Sequence, residues 1–311
     1  MKTIPRIDAE ALLNGEAGPL EAVRAAALDV GFMVLDNTPF AAERMQQLIE
    51  TYRAFFHLPD EQKAAVDMAE TGSNRGWGGM RSERVDPESN PDLKEVFDCG
   101  FEWAEAADAG APERYYAANL WPEAPEGFRE EVEGYYREAL GFCRRLLGAI
   151  SEAIGEDRSY FQQKFVHPMA LLRANFYPAR PAWAGEKDFG IAPHTDYGCL
   201  TLLATDGAPG LEVLRRDGEW EPVAAAPGAF VVNFGEMLEM WSGGQVKATL
   251  HRVRGGTEER ISIPLFFNPE WDADVAPQGA GVPIRAGEHL SKRYDETYLH
   301  MGQHAGRAAA G

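Results

Sequence analysis

The feature that most constrains this chain is a set of polar residues planted in otherwise strand-like sequence: His194-Thr195-Asp196, then His251, then Arg260-Ile261-Ser262. Side chains two apart in an extended segment share a face. His194 and Asp196 are therefore expected to aim one imidazole and one carboxylate at the same place, with Thr195 turned away. His251 follows 55 positions after Asp196, far enough for the chain to return along a neighbouring strand. Two imidazoles and one carboxylate on one side of a metal suit non-haem Fe(II) and leave positions open for other ligands. Neutral imidazole and ionised carboxylate are also the forms that bind metal at pH 7. Arg260 and Ser262 offer a guanidinium fork and a hydroxyl to a single carboxylate. The plainer use of Arg260 is a surface ion pair with Glu258 or Glu259. Ile261, Ile263 and Leu265 on the opposite face disfavour it, because the polar face then needs an interior reason.

Bringing these residues together requires a sheet. From residue 169 onward the chain offers short apolar runs at 169–177, 199–205, 211–214, 229–234, 246–254 and 260–267, separated by turns such as Ala208-Pro209-Gly210 and Arg216-Asp217-Gly218. Many short strands with turn signals imply a sandwich or barrel, and a jelly roll whose open mouth holds the metal is the economical form. Helical spacing predicts helices over 19–30, 41–56, 126–154 and 288–300, with shorter ones at 60–67 and 158–165. The longest has Phe128, Val132, Tyr135, Ala139, Phe142, Leu146 and Ile150 on one stripe. An extended run is expected at 94–101, and a Gly-rich loop, long for a structureless connection, at 71–92. The fold expected is mainly β with flanking helices: a jelly-roll core packed on a long helix and a helical N-terminal region. The expected division is 1–110 for the N-terminal region, 111–302 for the catalytic core and 303–311 for a frayed tail.

Composition removes several function classes. With 49 acidic against 30 basic residues the formal net charge is −19, which disfavours nucleic acid and anionic membrane surfaces. No apolar run reaches membrane-spanning length, and the first residues do not lead into a signal-peptide-like run. Three cysteines, Cys99, Cys143 and Cys199, make no disulfide framework, so a reducing cytoplasm is expected. No paired base near Cys199 suggests a nucleophile. Oligomeric state is not legible.

The ordered set His194-Thr195-Asp196, His251-Arg252-Val253 and Arg260-Ile261-Ser262 resembles the 2-oxoglutarate- and Fe(II)-dependent oxygenases, in the branch that includes isopenicillin N synthase. Asn175-Phe176-Tyr177-Pro178 looks like that branch's Asn-x-Tyr-Pro strand, and Val30-Gly31-Phe32 through Asn37 like its N-terminal strand. Phe55-Phe56-His57-Leu58-Pro59 and Lys94 through Gly100 also match. The resemblance runs from about residue 4 to about residue 302. It implies that His194, Asp196 and His251 hold Fe(II) and that Arg260 and Ser262 grip the distal carboxylate of 2-oxoglutarate. Asn175 and Tyr177 would lie beside the metal-bound end of that co-substrate. O2 is consumed, succinate and CO2 leave, and a C–H of a small-molecule substrate is oxidised, most often to an alcohol. Arg75 in the Gly-rich loop stands where relatives often place a substrate-binding residue, with Trp77 beside it and Arg173 on the Asn175 face. Arg81, Arg84 and Lys94 nearby hint at a substrate carboxylate. Phe97, Phe101 and Trp241 are either pocket wall or plain core. The alternatives are an oxidase or cyclase of the isopenicillin N synthase kind, a desaturase or ethylene-forming variant, and a non-catalytic ligand-binding module. A zinc hydrolase would leave Arg260 and Ser262 without a purpose.

Overall fold

The computed structural model describes residues 3–71 and 73–297. Its strands, in chain order, are β1 (Arg6–Asp8), β2 (Phe32–Asp36), β3 (Gly76–Gly78), β4 (Glu95–Gly100), β5 (Leu171–Tyr177), β6 (Ile191–His194), β7 (Leu200–Thr205), β8 (Leu211–Leu214), β9 (Trp220–Pro222), β10 (Phe230–Phe234), β11 (His251–Val253) and β12 (Arg260–Phe267). A large sheet runs β1-β2-β10-β7-β12-β5-β4-β3 and a small one β6-β11-β8-β9. Only the β1–β2 pair among these is parallel.

Alternation along the large sheet decides what faces the site. In β12, Ile261, Ile263, Leu265 and Phe267 enter the main core, while Arg260, Ser262, Pro264 and Phe266 line a cavity on the other side. β5 does the same, with Leu172, Ala174 and Phe176 in the core and Leu171, Arg173, Asn175 and Tyr177 in the cavity. The register joins the two rows: Arg260 pairs with Tyr177 and Ser262 with Asn175. A second apolar cluster, with Phe32, Val34, Tyr177, Leu211, Val213, Val231 and Val253, joins the two sheets. This period-2 partition is the signature of a sheet with one face on each of two compartments.

The core side is covered by helices. Phe128–Ala153 buries Val132, Tyr135, Ala139, Phe142, Leu146 and Ile150, and Ala42–Phe56 buries Met45, Leu48, Ile49, Tyr52, Phe55 and Phe56. Phe55, Phe97 and Phe128 meet with ring centroids 5.0–5.2 Å apart, and full burial of each such side chain contributes about 1.5–3 kcal/mol. The helix Ala17–Ala25 continues as a π turn over Ala26–Val30 and stops at Gly31, whose φ is +77°. A side chain at Gly31 would lie 2.3 Å from Thr249 Oγ1 and 2.6 Å from Lys247 O. That close approach lays Phe32 against His251, ring centroids 5.2 Å apart.

Several expectations change. The 71–92 stretch is not all loop: Gly76-Trp77-Gly78 is the edge strand β3, paired with β4. The strand expected over 246–254 shrinks to β11, because Lys247 N donates to Ala27 O and Thr249 Oγ1 to Val30 O instead of to a neighbouring strand. The 158–165 helix reduces to turns and a 3-10 turn at Gln162–Lys164. The last described helix is Ala286–Thr297; residues 298–300 of the expected helix and the 303–311 tail lie outside the described residues. The boundary near 110 does not separate two sheets, since β1–β4 before it and strands after it share the large one. β1, β6, β9 and the helices Ala9–Leu13 and Glu236–Trp241 carry signals too short or too broken to read; β6 contains Pro193 and follows Gly190.

Candidate active site

His194, Asp196 and His251 converge. One ligand atom from each lies within 4.8 Å of the others, and this is the one group of three or more potential metal-ligating side chains among the described residues. Asp196 Oδ1 is 3.8 Å from His194 Nε2 and 3.6 Å from His251 Nε2. Convergence arises differently from the expectation. β6 ends at His194, so Asp196 is placed by the following loop, not by strand alternation. His251 pairs with His194 across β11 and β6.

That loop is clamped by close packing. Gly198 sits against Asn268, whose Oδ1 accepts from Cys199 N at 2.9 Å, and Gly235 sits against Gly198 O and Asp196 O. Glu236 N then donates to Asp196 O at 2.8 Å. The side chains are oriented as well. His194 Nδ1 faces Ala192 O at 2.8 Å and His251 Nδ1 faces Thr249 O at 3.1 Å. Donating from Nδ1 leaves both Nε2 lone pairs free for a metal, the usual way an outer shell fixes a ligating imidazole. Asp196 Oδ2 accepts from Thr201 Oγ1 and from Asn233 Nδ2, the latter at 2.6 Å, so Oδ1 is the oxygen turned to the histidines. Burial, with His251 as the next cause, pushes the His194 imidazole down to about 3. Burial opposes the Asp196 charge, but His251, His194, Thr201 and Asn233 together hold its pKa below the usual value. Neutral imidazole beside carboxylate is the state a divalent cation needs.

The same cavity contains the second predicted group. Arg260 is buried and Nη1 has no hydrogen-bond partner; Nε makes only a long contact to Ala208 O at 3.4 Å, and the guanidinium lies 5.1 Å from the Tyr177 ring centroid. Asn175 Nδ2 donates to Ser262 Oγ at 3.4 Å, while Asn175 Oδ1 accepts nothing. An orphaned buried guanidinium nitrogen is costly unless a ligand completes it. Arg260, Ser262, Asn175 and Tyr177 thus line one cavity with the metal-ligating triad, where Arg260 and Ser262 could hold an anion. Glu259, the plainer partner considered for Arg260, instead accepts from Arg53 Nε at 2.9 Å.

A search against family models matches residues 168–269 to the 2OG-Fe(II) oxygenase superfamily and residues 4–124 to the non-haem dioxygenase in morphine synthesis N-terminal region. The 2-oxoglutarate-dependent dioxygenase tropC of Talaromyces stipitatus is 32% identical, covering 95% of this chain and 96% of that protein. The chain belongs to the 2-oxoglutarate- and Fe(II)-dependent oxygenases. The homoarginine-6-hydroxylase 2-ODD-C23.1 of Arabidopsis thaliana is 31% identical, over 89% of this chain and 87% of its own. A full-length Neurospora crassa protein solved in complex with alpha-KG superposes with a TM-score of 0.81 at 28% identity, covering 94% of this chain and 96% of that one. This oxygenase is accordingly a mainly β jelly-roll enzyme that uses Fe(II), 2-oxoglutarate and O2.

The substrate-side expectations fare unevenly. Arg173 lines the oxygenase cavity, but it is engaged: Nε and Nη2 donate to Asp98 at 2.8 and 2.6 Å, and Nη1 to Glu83 at 2.9 Å. Arg75 does not line it. The Arg75 guanidinium packs on Gly100 and donates to Asn74 O and Tyr115 O, each at 2.7 Å, behind Tyr294. Trp77 is also elsewhere, its Nε1 donating to Glu95 at 2.7 Å with Lys63 over the ring. Both point away because β3 is the sheet edge next to β4, not a loop free to reach the mouth. Trp77, Phe97 and Trp241 belong to the core, Phe101 packs against it, and Cys199 is buried there too, burial pushing its thiol well up. Sequence reasoning missed Thr201, Asn233, Glu83, Tyr197, Leu290, Tyr294 and Thr297. A lone Asn233 in the apolar run Phe230–Phe234 was the one available signal.

Asn233→Ala frees Asp196 Oδ2 from one of its two donors, so ferrous affinity, measured by anaerobic titration, should fall about 10–100-fold; an unchanged affinity would show that Asn233 does not orient the carboxylate. A pH effect is expected from Asp92, a buried residue whose Oδ1 accepts from Ala192 N of β6 at 3.3 Å and whose pKa burial raises to about 6, even with Lys94 3.5 Å away. A folded value above the unfolded one of 3.8 means that the folded state holds the proton more tightly. Stability from this group is present below about pH 4 and is lost as pH rises through 6, a loss of about 3 kcal/mol. Denaturant melts of Asp92→Asn should therefore gain on wild type at pH 8 by more than at pH 4.5; equal differences at both pH values would remove this assignment.

Proposed function

We propose that His194, Asp196 and His251 hold Fe(II), that Arg260 and Ser262 grip the distal carboxylate of 2-oxoglutarate, and that Asn175 and Tyr177 flank its metal-proximal part. The observation that carries this is the unpartnered Nη1 of buried Arg260 in the same cavity as the triad. Bound iron with 2-oxoglutarate supplies O2 activation coupled to loss of CO2. The chain's own part is positional. Thr201 and Asn233 keep Asp196 turned to the histidines, Arg260 fixes the co-substrate's far end, and the apolar walls Phe32, Leu203, Leu211 and Val253 exclude water. The outcome proposed is hydroxylation of a C–H of a small organic molecule held at the end of the cavity away from Arg260.

A substrate carboxylate, inferred from the basic residues between 75 and 94, has less support. Besides Arg260, the lysine and arginine side chains lining the cavity are Lys94 and Arg173, and both already face acids. Relatives differ widely in ligand: homoarginine hydroxylases in plants, the Neurospora crassa protein solved with thymine, JOX2 solved with JA. The wall of this particular cavity therefore carries more weight than kinship. Three buried free thiols fit a reducing compartment, and among the described residues no helix is long and apolar enough to cross a membrane. The test is stoichiometric. With Fe(II) and a substrate found by screening small molecules, succinate formed per O2 consumed should be near one. O2 consumption without succinate would replace this reading by an oxidase that does not use 2-oxoglutarate.

A further inference from the structure

The helix Ala286–Thr297 presents two adjacent stripes to the site. At about 3.6 residues per turn, His289, Arg293 and Thr297 fall on one face, and Leu290, Tyr294 and Thr297 on the face beside it. Leu290, Tyr294 and Thr297 line the cavity. The other stripe holds the loop that carries Asp196. His289 Nε2 faces Tyr197 O at 3.0 Å, and Tyr197 Oη shares a hydrogen bond of 2.6 Å with Thr297 Oγ1. The Arg293 guanidinium covers the Tyr197 ring 4.4 Å from its centroid, and Arg293 Nη2 donates to Glu236 Oε1 at 2.8 Å.

Glu236 carries these ties to the metal ligands. The oxygen that accepts from Arg293 also accepts from Thr195 Oγ1, at 2.5 Å. Thr195 stands between His194 and Asp196, two of the three converging side chains. β6 ends at His194, so no strand ladder runs on through the loop to set its peptide planes. Backbone bonds hold it from below: Glu236 N donates to Asp196 O and Met237 N to Gly198 O, at 2.8 and 3.1 Å. The Thr195 bond adds the intervening side chain, and so fixes the turn between the two ligands. Glu236 is only partly buried, and a carboxylate free in water spreads over several rotamers. Arg293 removes that freedom by pairing with the same oxygen that Thr195 uses.

Building on the Fe(II) reading of the triad, we infer that Glu236 and Arg293 are positioning residues for the metal site. The C-terminal helix, through Arg293 and Glu236, sets Thr195 and with it the aim of His194 and Asp196. Neither residue touches the metal. Their effect is expected on how tightly and in what geometry the ion is held, since groups that orient a ligand tune its affinity. The far side of the same helix supplies a contrast. Asp295, two residues on from Arg293 and more than half a turn round, pairs with Arg114 Nη2 at 3.0 Å, and that pair has no link to the 195–198 loop.

The test is anaerobic titration of the full chain with Fe(II), together with the absorption spectrum at saturating Co(II), whose bands follow ligand geometry. Wild type is compared with Glu236→Ala, Arg293→Met and Arg114→Met. Fe(II) affinity should fall about tenfold or more in Glu236→Ala and about three- to tenfold in Arg293→Met, one link further out. The Co(II) bands should move in both. Arg114→Met also cuts a tie of the C-terminal helix, but its affinity should stay within about twofold of wild type and its bands in place. A helix that merely stabilises the fold would make Arg293→Met and Arg114→Met alike. Wild-type affinity in Arg293→Met, an equal loss in Arg114→Met, or unmoved Co(II) bands in both Glu236→Ala and Arg293→Met would each overturn the inference. Should Arg293→Met not fold, Glu236→Ala decides, and wild-type affinity there overturns it. A wild-type protein that takes up no Fe(II) would instead remove the triad reading itself.

Discussion

Asp196→Ala should yield a folded protein that neither retains iron nor forms succinate. Asp196 is the one carboxylate among the three converging ligands. One of its oxygens is committed to Thr201 and Asn233, leaving the other aimed at His194 and His251. No other acid among the described residues joins that cluster, so nothing nearby replaces the lost charge. If losing one outer-shell contact costs about 10–100-fold in metal affinity, losing the ligand itself should cost more, at least about 1000-fold in iron-dependent turnover. Iron per chain after gel filtration, measured beside succinate release, gives the result. Near-stoichiometric iron with wild-type turnover would remove the triad assignment.

Arg260→Met carries the second large effect, and it runs in opposite directions for the two states of the protein. The Arg260 guanidinium is buried with Nη1 unpartnered by any protein group, so an apolar side chain of similar length should leave the protein without 2-oxoglutarate equally stable or more so. With 2-oxoglutarate present the same change deletes a charge-assisted anchor, worth about 3 kcal/mol, or about 100-fold in KM for 2-oxoglutarate. The rise in Tm that 2-oxoglutarate confers on wild type should vanish in the variant. Arg260→Lys should recover only part of the affinity, because an ammonium cannot present the planar fork. An unchanged KM in Arg260→Met would place the co-substrate's far carboxylate elsewhere in the cavity.

Legibility in the sequence followed the range of the physics. Strand β12 was readable to the residue because Ile261, Ile263 and Leu265 alternate with Arg260 and Ser262 over eight positions, and alternation is a local property. The helix Phe128–Ala153 was readable for the same reason at period 3.6. β6 was not: four residues with a proline give periodicity nothing to act on, and its place in the sheet comes from pairing with β11, a partner almost sixty residues away. Arg75 misled because a Gly-rich stretch reads as a free loop. Whether Gly76 and Gly78 allow turning or close strand approach depends on what lies beside them, here Val66 O and the Val96 side chain.

The amino-acid order by itself determined the chemistry available: which strands have a polar face, that two histidines and a carboxylate stand among them, and that an arginine and a serine share a face of β12. Those follow from side-chain type and from spacings of a few residues. Only the tertiary structure decided that Asp196 reaches the histidines through a clamped loop, that Arg260 Nη1 is left without a partner, and that Glu83, Lys94 and Arg173 line the cavity while Arg75 does not. Each of these depends on the burial and pairing of residues distant in the chain, and neither quantity exists until the sheets have closed.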